Sequence, residues 1–134
     1  DLVIGAWGAL ILGFIGALFS IVGYRWITPA LRSIGINDTC GVLNLHGLPG
    51  IIGGLGGGIS AIVAGENAYG KSITNIWPAR EDRSAFIQGM FQFAALLTTI
   101  GISLSSGLVS GLLLRIIEKR NWKDDCDDNE WKEE

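Results

Sequence analysis

No Asp, Glu, Lys or Arg interrupts the chain from Leu2 to Tyr24, from Thr39 to Gly65 or from Ser84 to Leu114, runs of 23, 27 and 31 residues. A bilayer core about 30 Å thick needs about 20 helical residues to cross it. In lipid every backbone N–H and C=O must be satisfied internally, which leaves helices as the form for such runs. The pattern therefore predicts an all-α integral membrane fold with three transmembrane helices, at about residues 2–24, 39–65 and 84–114. The third run is too long for a perpendicular crossing, so it predicts tilt or extension past the bilayer.

The remaining charge is placed asymmetrically. Residues 121–134 hold seven acids against Lys123 and Lys132, a net −5 that leaves 1–120 at +2. The chain thus divides into a transmembrane region, 1–120, and an acidic tail, 121–134. With only 17% charged residues and a mean hydropathy of +0.40, the chain cannot cover a soluble surface. It has no Lys/Arg stripe and a net charge of −3, which excludes nucleic acid as a partner and leaves the lipid bilayer. Arg25 and Arg32 follow the first run; Arg115, Lys119, Arg120 and Lys123 follow the third. These two basic segments lie on one side of the membrane, and the positive-inside rule makes that side, with the C-terminus, cytoplasmic. The segment between runs two and three carries Lys71, Arg80 and Arg83, offset by Glu66, Glu81 and Asp82. Trp26, Trp77 and Trp122 are placed as interfacial anchors. The chain opens at Asp1 directly before an apolar run, without a start Met or a signal peptide, and is expected to be a fragment.

Small residues recur at a spacing of four: Gly5, Ala9, Gly13 and Ala17; Gly50, Gly54 and Gly58; Ser103, Gly107 and Gly111. That spacing puts them on one face of each helix, where backbones can approach closely. Three helices offer too few neighbours for so many such faces, so a larger bundle is expected.

The one histidine, His46, lies inside the second run. An ionisable residue at membrane depth marks a functional site by default. A neutral imidazole has one donating and one accepting nitrogen, so both need partners. This chain offers no second His and no intramembrane carboxylate. The partner is water, a transported species, a backbone carbonyl of a neighbouring helix or a residue on a further helix. Asp38 precedes the run and suits a helix N-terminus as a cap. Pro49 removes a hydrogen bond inside the run, and Gly47 and Gly50 beside it make 46–50 a bendable spot against which a pathway could pass. Gln88 and Gln92 share a face and either line a vestibule or bond another helix. Two cysteines and one histidine make neither a zinc site nor, with Cys126 in an acidic tail, a disulfide. Ser105 and Ser106 lack the setting of an intramembrane serine protease, and no phosphate loop or carboxylate pair is present, so no enzyme and no cofactor are expected.

The run Asp38-Thr39-Cys40-Gly41-Val42-Leu43-Asn44-Leu45-His46-Gly47-Leu48-Pro49-Gly50 resembles the signature of the Rhesus (Rh) glycoprotein branch of the ammonium transporter/Rh family. Gly23 to Leu31 before it, and the third span with Trp122, Cys126 and Trp131 after it, are similar to the same family. The resemblance implies the C-terminal part of a protein of eleven or twelve spans, found as a homo- or hetero-trimer in the plasma membrane. It implies ammonia or ammonium as the transported species, His46 as one of two facing pore histidines and Val42 as an apolar pore-lining position. Asp38, Asn44, Gly47, Pro49 and Gly50 fall on the structural part of the motif. An alternative within the same resemblance is a non-conducting structural subunit, since some Rh relatives lack the pore histidines.

Overall fold

The computed structural model describes residues 3–117; Trp122, Cys126 and the acidic tail lie outside the described residues. Three helices are long and apolar enough to cross a membrane: Ala6–Ser33, Leu43–Val63 and Ala85–Ile117. No strand occurs among the described residues. The first and third helices both pack against the second.

The first helix does not stop at Tyr24. It continues to Ser33 and carries Arg25 and Trp26 within it. Pro29 is the reason its path changes. A proline has no N–H, and its ring collides with the carbonyl four residues back, here that of Arg25. Just upstream, Gly23–Ile27 opens into a π-turn, closed by Thr28 N–H on the Gly23 carbonyl. The wider turn absorbs the conflict without breaking the helix. The helix ends in a Schellman motif: Gly35 stands at φ +84°, Ile36 N donates to Leu31 O at 3.0 Å and Gly35 N to Arg32 O at 3.0 Å.

The second helix repeats the device. Leu43–Gly47 is a π-turn, closed by Leu48 N–H on the Leu43 carbonyl, and Pro49 follows two residues later. The bendable spot at 46–50 thus takes the form of a widened turn, and the helix runs on to Val63.

Between the second and third helices, the short helices Glu66–Tyr69 and Ser72–Ile76 and the 3₁₀ turn Pro78–Glu81 fold back over the helix ends. Val3, Ala61, Ala64, Ile73 and Trp77 form the buried apolar cluster there. Trp77 is only 8% exposed, so its ring serves this cluster rather than standing free at an interface. Trp26, by contrast, is exposed. Arg80 Nη2 donates to Ala64 O at 3.3 Å, a cation at the negative end of the second helix.

The third helix spans 33 residues, about 50 Å at 1.5 Å per residue. Its first half is seated in the second helix through glycine. A Cβ on Gly54 would lie 2.6 Å from Leu96 Cδ1, and one on Gly58 would overlap the Phe93 ring. One on Gly89 would fall 2.9 Å from the Gly58 carbonyl oxygen and would overlap Ile62. The backbones of the two helices therefore meet at Gly58 and Gly89. From Gly101 to Ile117 every residue is exposed.

Candidate functional site in the second helix

Asp38 builds the start of the site. Its Oδ1 accepts from Val42 N at 2.8 Å and its Oδ2 from Leu43 N at 2.9 Å. One carboxylate thereby satisfies two of the free N–H groups that begin the helix, at its positive end. Gly41, at φ +66°, makes the reversal into the helix and lies under the Tyr24 hydroxyl. Cys40 is a free, exposed thiol beside this turn.

The π-turn Leu43–Gly47 then presents two opposite characters. Asn44 is 0% exposed and turns toward the first helix, where its Nδ2 donates to Thr28 Oγ1 at 2.7 Å. Val42, 55% exposed, and His46, also exposed, stand on the open side. Residues two apart on a helix do not share a face, whereas residues four apart do. The imidazole of His46 meets no hydrogen-bond partner among the described residues. No backbone carbonyl of the described helices takes up the role that a satisfied histidine would need.

Pro49 and Gly53 face the first helix. They form one wall of an open groove of about 420 Å³ whose other wall is Ala9, Leu12, Gly13, Gly16, Ala17 and Ser20 of the first helix. A Cβ on Gly13 or Gly50 would meet nothing within 4 Å, and one on Gly16 would meet Pro49 Cβ at 3.8 Å. Gly47 is tighter, with Leu43 Cδ1 3.0 Å from its added Cβ. A second groove, of about 430 Å³, lies between the same helices near Val3, Gly56 and Tyr69. It is walled by apolar side chains and Ser60, whose hydroxyl is spent on Gly57 O at 2.9 Å. His46 lines neither groove and stands on the open side of its helix.

Gln88 is buried beside the second helix with its Oε1 unpartnered, while Gln92 is half-buried. Ser105 and Ser106 return their hydroxyls to Gly101 O and Ser103 O of their own helix. No group of His, Cys, Asp and Glu able to hold a metal occurs among the described residues. Sequence reasoning missed Thr28 as the mate of Asn44 and Arg80 as the cap on Ala64. The signal for the first was the parallel of Thr28-Pro29 with Leu48-Pro49, each a proline two residues past a widened turn.

Three bilayer-length apolar helices, with the polar side chains of the second divided between a buried and an open face, define a polytopic α-helical integral membrane protein. The chain belongs to the Ammonium Transporter Family, whose model matches residues 1–134; it is a family of channels and transporters rather than enzymes. Over 119 residues it is 40% identical to "Ammonium transporter Rh type B" of Xenopus tropicalis, covering 87% of this chain and 26% of that protein. It is 37% identical over 120 residues to the Rh type B protein of Danio rerio, covering 87% of this chain and 26% of that protein. It is 40% identical over 121 residues to "Ammonium transporter Rh type C" of Macaca mulatta, covering 87% of this chain and 25% of that one. The chain therefore spans about a quarter of the length of these curated relatives. No solved structure matches it at a significant level.

Proposed function

We propose that this chain is the C-terminal part of an Rh-type channel or transporter that carries ammonia or ammonium across the plasma membrane. His46 is one of the paired pore histidines in this reading, and Val42 lines the pore one turn away. The observation that carries it is the open, unpartnered imidazole of His46, two residues from a fully buried Asn44, in a chain whose relatives are named ammonium transporters. A bare cation in an apolar passage costs several kcal/mol or more. Ammonium therefore gives up its proton to water at the mouth, and ammonia passes along the imidazole, which can both donate and accept a hydrogen bond. The second histidine, the trimer partners and the rest of the pore wall belong to the remainder of the protein. The C-terminus faces the cytoplasm, as the arginines after the first and third spans favour.

The test replaces His46 with Ala in the full-length protein and measures methylammonium uptake in transport-deficient cells. Uptake is lost or its selectivity changes. Unchanged rate and selectivity, at equal amounts in the membrane, refute the pore role.

A further inference from the structure

Asn44 has no assigned work in transport, and its setting is unusual. It is fully buried in a widened turn, yet its Oδ1 has no hydrogen-bond partner. Its Nδ2 reaches Thr28 Oγ1 at 2.7 Å on the first helix. Its Oδ1 lies against the backbone of Gly23, where any Cβ would overlap it and would also come 2.7 Å from Leu48 Cδ1. Gly23 opens the π-turn of the first helix, and Thr28 closes it by its N–H on Gly23 O. Both ends of one widened turn thus grip a side chain rooted in the other.

A buried amide with one acceptor unpaired is a poor choice for stability, since an apolar side chain of similar shape would leave nothing unsatisfied. What the amide supplies is direction. A hydrogen bond fixes the rotation of the turn that carries it, whereas apolar packing tolerates sliding. Side chains two apart leave a helix on nearly opposite sides. Fixing Asn44 toward Thr28 therefore fixes His46 toward the open side.

We propose that Asn44, held by Thr28 and admitted by Gly23, is a positioning residue that sets the orientation of the His46 imidazole. This rests on the pore reading of His46, and the experiment separates the two. In the full-length protein, Thr28→Val removes the acceptor while keeping the shape, and Thr28→Ser keeps the hydroxyl. Ammonia and methylammonium fluxes are measured per transporter reaching the membrane. Thr28→Val lowers methylammonium uptake by about fivefold, the worth of one buried hydrogen bond, and changes the ratio of the two fluxes. Thr28→Ser keeps the wild-type ratio. Should Thr28→Val not reach the membrane, Asn44→Ser, which shortens the side chain out of reach of Thr28, is put to the same comparison with the same expectation. An unchanged ratio in the variant that reaches the membrane, with or without a lower rate, overturns the positioning role, because loosened packing alone scales both fluxes together. His46→Ala with unchanged flux and ratio instead overturns the pore reading itself.

Discussion

The crossing of the second and third helices at Gly58 and Gly89 can be tested by one methyl group. In Gly89→Ala the new Cβ falls 2.9 Å from the Gly58 carbonyl oxygen, where ordinary contact begins at 3.4 Å. The carbonyl belongs to a helical backbone and cannot rotate away as a side chain would. The helices must part by about half an ångström there, and a gap of that size already forfeits about a quarter of each contact's attraction. The neighbouring seats of Leu96 on Gly54 and Phe93 on Gly58 loosen with it. Overpacking of this kind costs about 1–3 kcal/mol. Alanine returns up to about 1 kcal/mol of helix propensity, so the collision has to be read against a control that gains the same propensity. Gly101→Ala serves, since nothing in this chain lies within 4 Å of its added Cβ. The unfolding equilibrium in mild detergent, titrated with a denaturing detergent, should place Gly89→Ala about 1–3 kcal/mol below Gly101→Ala, about 5- to 150-fold in the folded ratio. Equal tolerance of the two alanines would refute a backbone-to-backbone crossing at Gly58 and Gly89.

Asp38→Ala strips the acceptor from two amides and should cost about 0.5–2 kcal/mol at that helix end; faster hydrogen exchange confined to Val42 and Leu43 is the readout. Gly41→Ala meets both a positive φ and the Tyr24 hydroxyl, so it should reduce the amount of folded protein, with Tyr24→Phe giving partial relief of the collision alone. Ser84→Ala removes a 3.3 Å acceptor from Ile87 N and should lower stability by no more than about 1 kcal/mol, measurable as a small shift in thermal unfolding in detergent.

The membrane fold is legible in the sequence because charge is the dominant constraint in lipid, and three uncharged runs leave little freedom. Helix ends are less legible for the same reason. Arg25 ends an apolar run without ending a helix, because a long basic side chain can reach water from a helical backbone. Trp77 shows a similar limit. Its position at the edge of a run suits an interface, yet the short helices after Val63 fold Ala61, Ala64 and Ile73 around it, and a large ring gains more from burial there. The two π-turns have no composition of their own, and only the prolines two residues beyond them betray their place.

The glycine stripes divide by what the described helices do with them. Gly54 and Gly58 are taken up by Leu96 and Phe93, whereas Gly5, Gly13, Gly50, Gly107 and Gly111 have nothing within 4 Å of an added Cβ. The same division runs through the polar residues, with Asn44 turned inward to Thr28 and His46 outward. Gly13, Pro49 and Gly53 border the open groove between the first and second helices. Small residues there leave room rather than make contacts. The one bulky aliphatic side chain at the groove is Leu12, which also reaches Gly56. A leucine at Gly13 or Gly53 would fill this groove. Such a leucine lies far from Gly58 and Gly89 in its contacts, so it should leave that crossing, and with it the unfolding equilibrium of the second and third helices in mild detergent, unchanged.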